Sequence, residues 1–324
     1  MFFLLRRARV LLACALSAAT ACVSAADYPS KSIRLLVPFF AGSPSDMFAR
    51  ALGQKLGEQV GQNIVADNRS GAAGNIGIIA AAKAAPDGYT LLLSTPGIAL
   101  SPLLYKNAGF DPHKDFAPIA RLAFNPNVIL VNPSLPAKTL RQFLELARAS
   151  PGKYSFGSGG LGTTNHLSNE LLKTREKINL LHVLYKGAAL AILSVIGGEV
   201  DEVIVPLAAA LPHIRSGKVR ALAMMSEQRL NSAPDIPTAK ESGVDDFVMS
   251  TWYGLFAPQG TPRDIVMRLH RECVKAMEDA NLRERLAATG VEIWLGTPEQ
   301  LAAMVRSESA RYAGIIKQAG IRAE

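Results

Sequence analysis

Short loops rich in glycine and hydroxyl residues are the segments of this sequence that could hold a ligand. Residues 41–46, 68–75 and 157–164 each follow a short apolar run and precede a helical pattern. Such a junction exposes free backbone N–H groups and the positive dipole end of a helix, both of which attract an anion. A single glycine loop is equally well explained as a tight turn. The repetition of the pattern favours an anion-binding cleft.

The glycine-rich loop at residues 157–162 also suggests a nucleotide site or a hydrolase site. It lacks the Gly-Lys-Ser/Thr ending of a phosphate-binding P-loop. Ser158 and His166, with some aspartate, could form a nucleophile and its base, but Phe156 stands where a Gly-x-Ser-x-Gly elbow has its first glycine. We therefore interpret this loop as a helix cap near His166 and keep the hydrolase as an alternative.

The five histidines show no spacing that indicates a metal site. They are scattered along the chain, without a His-x-x-x-His or Cys-x-x-Cys pattern. We therefore expect no metal, no cofactor and no catalytic residue.

The elements that would position the loops alternate between short apolar runs and longer helical patterns. This alternation predicts βαβ units around a mostly parallel sheet. Residues 33–37 and 89–93 are strand candidates in the first part of the chain, and residues 128–131, 154–156 and 180–184 in a second part with the same pattern. Residues 140–149, which follow Thr139, and residues 298–318 are helix candidates. Ser45 or Asp46 would cap the helix that follows the first strand, and the largely helical C-terminal third is interpreted as scaffold.

Length and charge bear on the organisation of the chain and on its partners. The chain has 324 residues, which exceeds what one hydrophobic core usually serves, so two lobes are expected. A formal net charge of +8 would suggest a nucleic acid or an anionic surface as partner. However, the basic residues of the last helices alternate with acids, and part of the excess lies in the N-terminal leader. Nucleic acid is therefore not an expected partner.

The N-terminus has the pattern of a secretory signal peptide, which we assign to residues 1–26. Three arginines precede an apolar run that is too short to span a membrane, and small residues follow it. We predict cleavage near Ala25 or Ala26 and a periplasmic mature protein, with lipidation of Cys22 as a less favoured alternative. Cys273 is the one cysteine beyond the leader, so an intrachain disulfide is excluded.

Several longer motifs occur in order along the chain after the leader. They are Tyr-Pro-Ser-Lys-Ser-Ile-Arg at 28–34, Asn-Arg-Ser-Gly-Ala-Ala-Gly-Asn at 68–75, Ala-Ala-Pro-Asp-Gly-Tyr at 84–89, Asp-Phe-Ala-Pro at 115–118, His-Val-Leu-Tyr-Lys-Gly at 182–187 and Gly-Leu-Phe-Ala-Pro at 254–258. Together they resemble the Bug family, the secreted substrate-binding receptors of tripartite tricarboxylate transporters. The resemblance implies a type II periplasmic-binding, Venus-flytrap α/β fold, in which two crossing segments join two lobes, each a mostly parallel sheet flanked by helices. Lobe 1 would comprise residues 27–126 and 253–324, and lobe 2 residues 127–252.

The resemblance also implies that loops after the first strands of each lobe hold a carboxylate through backbone amides and ordered water. The matching positions in the first lobe are Phe40, Ala41, Gly42, Ser43, Asp46, Asn75, Ser94 and Thr95. Those in the second lobe are Ser158, Gly159, Gly160, Thr163, Tyr185 and Val205. The glycines would let the ligand approach the backbone, the hydroxyls would donate hydrogen bonds, and Asp46 would fix its loop or orient a water. Lys186 is either a counter-charge or a structural lysine.

Two departures from the family pattern bear on the ligand. Residues 41–44 read Ala-Gly-Ser-Pro where the family commonly has Ala-Gly-Gly, so a hydroxyl is gained and Pro44 removes an amide donor. Many relatives have Asp-Asn where this chain has Val205 and Pro206. If that position faces the cleft, the ligand is expected to have a more apolar or aromatic body than a polyhydroxylated tricarboxylate. Alternatively, the pair only repacks the end of a strand.

The resulting expectation is a non-enzymatic, monomeric receptor. It would capture a small mono-, di- or tricarboxylate in the cleft between its lobes and deliver it to the membrane permease subunits of a tripartite tricarboxylate-type transporter. Closure requires only a ligand that binds the closed form better than the open form. The alternatives are a ligand-sensing receptor that feeds a signalling system, and the secreted hydrolase that uses Ser158 and His166.

Overall fold

Ten strands and ten α-helices lie within residues 28–321, the part of the chain that the computed structural model describes. The strands are β1 (Ile33–Val37), β2 (Ile64–Asn68), β3 (Thr90–Ser94), β4 (Phe116–Val131), β5 (Ser155–Ser158), β6 (Leu181–Leu184), β7 (Glu202–Pro206), β8 (Arg220–Met224), β9 (Ser250–Pro258) and β10 (Glu292–Gly296). The helices are α1 (Pro44–Val60), α2 (Asn75–Ala82), α3 (Gly97–Leu104), α4 (Leu140–Ala149), α5 (Thr164–Glu176), α6 (Ala188–Gly197), α7 (Leu207–Arg215), α8 (Arg263–Glu278), α9 (Ala280–Ala288) and α10 (Pro298–Ala319). The predicted signal peptide, its cleavage site and Cys22 lie outside the described residues.

The strands form a mixed sheet in the order β2-β1-β3-β9-β4-β7-β5-β6, with β8 and β10 also paired to β4. At each end of this order the strands are parallel: β1 pairs with β2 and β3, and β5 pairs with β6 and β7. In the middle, β9 runs antiparallel to β3 and β4, and β4 runs antiparallel to its other partners. The sheet is therefore parallel where the loops of interest begin and antiparallel around its centre.

Strand β4 belongs to both halves of the sheet. Its residues from Phe116 to Pro126 pair with β9, whereas those from Asn127 to Val131 pair with β7 and β8. We call the half with β1, β2, β3, β9 and β10 lobe 1, and the half with β5, β6, β7 and β8 lobe 2. The expected two-lobed α/β fold is confirmed, and the sheet is mixed rather than mostly parallel because the crossing strands run against their neighbours.

Three apolar clusters hold the layers together. Helices α1, α8 and α9 cover one face of lobe 1, where Leu35 and Phe48 are buried, and α6 and α7 cover one face of lobe 2, where Val205 is buried. The third cluster is shared by the two lobes, because it joins Leu36 and Leu100 of lobe 1 with residues of α4 and α5. Strand β1 contributes to both faces of its sheet, which explains its continuous apolar run.

Two further findings concern residues 28–321. None of their helices is long and apolar enough to cross a membrane. Within the same residues, no group of three or more His, Cys, Asp or Glu side chains is arranged to hold a metal ion. Cys273 is buried among apolar side chains of lobe 1, and burial raises the pKa of its thiol to about 12, so it stays protonated.

Candidate functional site

Strand-to-helix junctions gather at one edge of each lobe. In lobe 1, the parallel strands β1, β2 and β3 lead into α1, α2 and α3. In lobe 2, the parallel strands β5, β6 and β7 lead into α5, α6 and α7. Because the carboxyl ends of parallel strands meet at the same edge, the helix N-termini of each lobe meet there too. Their free N–H groups create a region of positive potential that suits an anion.

The lobe 1 loop between β1 and α1 is shaped by the buried carboxylate of Asp46. Its oxygens accept hydrogen bonds from the Gly42 amide at 2.8 Å, from Arg50 Nε at 3.0 Å and from Asn68 Nδ2 at 2.9 Å. Burial alone would raise the pKa of this carboxyl, but the hydrogen bonds from Arg50, Gly42 and Asn68 outweigh burial and lower it. Asp46 therefore stays charged and holds its own loop, which is one of the two roles expected for it.

The cap of α1 differs from the sequence prediction. The helix begins at Pro44, and the Ser43 side chain accepts a hydrogen bond from the Asp46 amide at 3.2 Å. Ser43, rather than Ser45 or Asp46, is thus the N-cap, because proline at the first helical position needs no hydrogen-bond acceptor for its nitrogen. The Ser43 oxygen is used in this cap, while its hydroxyl proton is free to be donated.

The second loop of lobe 1 has an unusual backbone before α2. Gly71, Ala72, Ala73 and Gly74 have φ angles of 122°, 46°, 54° and 100°. This left-handed run is costly for the two alanines and is held by close packing, since a β-carbon at Gly74 would lie 3.3 Å from the Pro38 carbonyl oxygen. It ends at Asn75, which begins α2 and whose side-chain oxygen accepts a hydrogen bond from Ser101 of α3. Asn75 therefore links the N-terminus of α2 to α3.

The two lobe 2 loops are joined through their backbones. The amide of Tyr185 donates to the Ser158 carbonyl oxygen at 2.9 Å, and the amide of Gly187 donates to the Gly159 carbonyl oxygen at 3.0 Å. A β-carbon at Gly159 would lie 2.9 Å from the Ala188 nitrogen, so only glycine permits this approach. The N-termini of α5 and α6 are thereby held side by side.

Ser158 pairs with a different histidine from the one that the hydrolase alternative requires. Its hydroxyl lies 2.7 Å from His182 Nε2, whereas the amide of His166 donates to the Thr163 hydroxyl at 3.4 Å. The capping interpretation of this loop is therefore confirmed for His166. Ser158 has no solvent exposure, so a substrate carbonyl cannot reach its oxygen in this conformation.

The residues predicted to bind a ligand fall into groups with different surroundings. Phe40, Ala41 and Gly42, which we call the lip of lobe 1, are exposed in the loop between β1 and α1. Other predicted residues are partly exposed: Ser43, Gly159, Gly160 and Thr163. Asp46, Asn75, Ser94, Thr95 and Ser158 are buried at the ends of strands or in first helical turns. Lys186 is exposed in the loop between β6 and α6.

The structure directs the side chain of Val205 and the hydroxyl of Tyr185 away from the loops at this edge of the sheet. Val205 has no exposure and lies in the apolar cluster under α6 and α7, because its side chain alternates with that of Ile204 across the strand. The Tyr185 ring packs over Gly157, and its hydroxyl donates to Glu199 at 3.3 Å, near the opposite end of the strands. The alternative interpretation, that Val205 repacks the strand end, fits this placement.

Two residues with a role in the site were missed by sequence reasoning. Asn68 holds both Asp46 and the Phe39 carbonyl oxygen, at 2.9 Å and 3.1 Å. His182 holds Ser158 from the neighbouring strand. Both belong to motifs that were noted in the sequence, but the spacing along the chain gives no signal of a contact that forms between strands.

The loops themselves carry few charges. Among the residues that connect β1, β2, β3, β5 and β6 to the following helices, the charged side chains are the two exposed bases Arg69 and Lys186. Arg69 is paired with Asp67 at 3.1 Å. Backbone N–H groups therefore supply most of the positive potential, and an anionic ligand meets no bare carboxylate.

Two α/β lobes joined by crossing strands, with glycine loops and helix N-termini at one edge of each lobe, define a periplasmic-binding-protein architecture. Residues 48–321 match the model of the tripartite tricarboxylate transporter family receptor. The chain is also 36% identical over 302 residues to Protein BugT of Bordetella pertussis, covering 93% of each chain. It therefore belongs to this receptor family, as its motifs predicted.

Solved structures of relatives agree with the family assignment. An R. palustris protein with adipate has a TM-score of 0.87 and 35% identity, over 92% of this chain and 100% of the other. MatC from Rhodopseudomonas palustris with bound malate has a TM-score of 0.82 and 31% identity, over 89% of this chain and 100% of the other. Both relatives hold carboxylates, as their names state.

Proposed function

We propose that this protein is a periplasmic receptor that binds a small carboxylate between its lobes and delivers it to the permease of a tripartite tricarboxylate-type transporter. The observation that carries this proposal is the gathering of helix N-termini and glycine loops at the strand ends of both lobes, with no free acidic side chain in the connecting loops described above. Membership of the receptor family supports the transporter partner. The adipate and malate held by relatives support the ligand class.

The ligand that we propose has one or two carboxylates and an apolar body. With Val205 in the core, support for the apolar body comes from two exposed side chains next to the lobe 1 loops: Phe40 is 59% exposed and Ile76 is 53% exposed. Lys186 is the one base of the connecting loops for which no acidic partner is described. A ligand with three carboxylates would have to be neutralised almost entirely by backbone groups, whereas a single carboxylate with a hydrocarbon chain matches both features.

A thermal-shift screen of the purified mature protein tests the ligand class. Straight-chain monocarboxylates and dicarboxylates of increasing length, benzoate, malate and citrate are compared with a neutral sugar and an amine. A ligand at 100 times its Kd stabilises the fold by about 2.7 kcal/mol. Affinity is expected to increase along the chain-length series by up to about 0.8 kcal/mol per buried methylene. A shift with the sugar or the amine, and none with any carboxylate, would exclude the carboxylate proposal.

Two variants test the proposed apolar lip. Phe40→Ser is expected to weaken binding of the longest carboxylates by roughly tenfold, because it removes a large apolar surface from the lip. The matched control is Val65→Ser, which changes an exposed apolar residue on the outer strand of the same lobe. Equal effects of the two substitutions would remove Phe40 from the site.

We also propose that the protein is not an enzyme. The burial of Ser158 and its bond to His182 support this proposal. In an ester-hydrolysis assay we expect no turnover by the mature protein; turnover that disappears in Ser158→Ala would favour the hydrolase instead.

Deletion of the gene tests the transporter role. It is expected to abolish uptake of the ligand by cells, and unchanged uptake would contradict this role.

We propose, in addition, the lobe boundaries expected from the family resemblance, residues 27–126 with 253–324, and 127–252. The change of pairing partner along β4 between Pro126 and Asn127 supports the first boundary. Hydrogen exchange in the presence and absence of ligand tests it, because residues at a hinge between the lobes are expected to change their protection when the cleft closes.

A further inference from the structure

A column of three rings lies next to the loop of residues 159–163, which connects β5 to α5 and which we call the lobe 2 loop. The His182 ring is stacked between Phe156 and His166, with ring centroids 4.5 Å and 4.6 Å apart. From this position His182 Nε2 reaches the Ser158 hydroxyl at 2.7 Å. Ser158 ends β5 and begins the loop, and its oxygen also faces the Gly160 amide at 3.4 Å. The imidazole of His182 is thus connected to the loop through the Ser158 hydroxyl, which also accepts a hydrogen bond from the Gly160 amide.

The groups around His182 come from β5 and α5. Strand β5 supplies the uncharged Phe156 and Ser158, and α5 supplies His166, Glu170 and Lys173. Glu170 is paired with Lys173 at 2.9 Å and lies 4.0 Å from His166 Nε2. On its other side β6 is the last strand of the sheet order, so no further strand faces the ring.

The charge state of His182 follows from these neighbours. Burial and Lys173 lower the pKa of His182, and they outweigh Glu170, which acts in the opposite direction. Burial lowers the pKa of His166 to about 4, with further contributions from His182 and Lys173. Both rings are therefore neutral at pH 7, and His182 gains a proton more readily than His166.

Protonation changes which atom donates in the bond to Ser158. A neutral imidazole nitrogen can accept the Ser158 proton, but in the imidazolium ion both nitrogens carry protons and can only donate. The Ser158 oxygen then accepts from His182, and its own proton must turn away from the ring. At the same time a positive charge is created beneath the loop of residues 159–163.

We propose that His182 is a proton-responsive positioning residue for the lobe 2 loop, such that proton uptake by His182 strengthens carboxylate binding at residues 159–163. This inference rests on the proposed carboxylate-binding function. Linkage requires the reverse effect as well, so that a bound carboxylate makes His182 hold its proton more tightly. Because the folded pKa lies below the ordinary value of about 6.5, the effect belongs to mildly acidic solution.

Calorimetric titration of one carboxylate, taken from the thermal-shift screen, tests the proposal between pH 5 and pH 8. The wild type is compared with His182→Gln, which keeps a polar amide and cannot be protonated, and with His166→Gln, the matched control from the same column. Titration of the ligand itself affects all three proteins equally and cancels in the ratios of their dissociation constants. We expect the wild type and His166→Gln to gain affinity relative to His182→Gln by roughly fivefold as the pH falls.

The outcomes separate the two proposals. The same pH profile in His182→Gln and the wild type overturns the role of His182, and so does a loss of the gain in His166→Gln. If no carboxylate binds the wild type at any pH, the proposed function itself fails. Should His182→Gln not fold, side-chain NMR of the wild-type His182 ring replaces it: a rise in its pKa on carboxylate binding supports the proposal, and an unchanged pKa overturns it.

Discussion

The two lobes hold equivalent loops by different chemistry. In lobe 1 a charged carboxylate, Asp46, accepts hydrogen bonds from its own loop, from Arg50 and from Asn68. In lobe 2 the Ser158 hydroxyl is paired with the imidazole of His182. The lobe 1 anchor has a lowered pKa and keeps its charge through the physiological range, whereas burial and Lys173 lower the pKa of His182, so the lobe 2 anchor is uncharged at pH 7. The lobe 1 loop is therefore held by a charged group, and the lobe 2 loop by a neutral pair.

Two buried carboxyl groups, one in each lobe, show the same contrast between a charged and a neutral group. Asp46 of lobe 1 is buried and fully hydrogen-bonded. Glu202 of lobe 2 is completely buried, and its oxygens have no hydrogen-bond partner among the described residues. Burial, with a smaller contribution from Asp201, raises the pKa of Glu202 well above its usual range. Glu202 is thus a neutral acid in an apolar core.

Removal of the lobe 1 anchor is expected to have the largest effect. Asp46→Ala leaves the Gly42 amide without its acceptor and Asn68 with only the Phe39 carbonyl oxygen, and the two part-buried charge-assisted bonds that are lost are worth about 3 kcal/mol together. Arg50 is half-exposed and regains water, so it adds little. Urea unfolding measures the loss of stability, and ligand titration is expected to show at least a tenfold weaker affinity. The stability of Asp46→Asn, which keeps the shape of the side chain, should fall between that of the wild type and that of Asp46→Ala. An unfolding midpoint unchanged in Asp46→Ala would contradict the anchoring role.

The contact between the two lobe 2 loops gives the second prediction. Gly159→Ala places a β-carbon 2.9 Å from the Ala188 nitrogen and 3.0 Å from the Gly187 carbonyl carbon, so the backbones must separate at a cost of about 2 kcal/mol. Chemical denaturation measures this cost. The matched control is Gly197→Ala at the end of α6, where a β-carbon meets open space and the change should be within about 0.5 kcal/mol. Similar values for the two substitutions would show that the loops are not tightly joined.

Glu202 predicts that lobe 2 loses stability as the pH rises. The folded-state pKa is raised, so above the unfolded-state value of about 4.3 the unfolded chain ionises while the folded one does not. The free energy of unfolding should then fall by about 1 kcal/mol between pH 7 and pH 8. Glu202→Leu should abolish this slope in parallel urea titrations. A slope that persists in Glu202→Leu would assign it to other groups.

The smallest effects are expected at the two helix caps. Ser43→Ala removes the cap of α1, and Thr163→Ala removes the cap of α5, each at a cost of about 1 kcal/mol. Thr163 also donates to the Gly160 carbonyl oxygen at 2.7 Å, so its loss should exceed that of Ser43 by a few tenths of a kcal/mol. Thr163→Ser keeps both bonds and serves as control in the same denaturation series. A larger effect at Ser43 would reverse the ranking of the two caps.

Sequence patterns predicted the elements whose signals are local. The periodicity of α4 and α10 predicted them to within a residue or two, with Thr139 before α4; the cap of α10, Thr297, was not predicted. Helices α3 and α7 were missed, because both are short and contain a proline, Pro102 or Pro212. Of the long crossing strand β4 only residues 128–131 were predicted, since prolines at 118 and 126 interrupt the pattern where its pairing register shifts or changes partner.

The candidate site divides in the same way. Glycine loops and capping residues such as Thr163 are visible in the sequence, because turn and cap chemistry is set by neighbours along the chain. The bond between Ser158 and His182 forms between two strands, and the burial of Val205 depends on which face of the strand meets α6 and α7. Neither follows from spacing, because both are decided by the packing of elements that are distant in sequence.

The shared strand β4 also orders the assembly of the chain. The lobe 2 sheet is drawn from one continuous stretch, whereas the exposed edge of β3 is covered only when β9 arrives, with Leu92 paired to Phe256. Contacts between residues that are close in sequence form faster than contacts between distant ones. The lobe 2 sheet can therefore form before β9 has paired with β3 in lobe 1. When the chain emerges with its N-terminus first, the apolar edge of β3 therefore remains unpaired until β9 has emerged, about half of the chain's length later. Protection of that edge, rather than the stability of either lobe, is expected to limit the yield of folded protein.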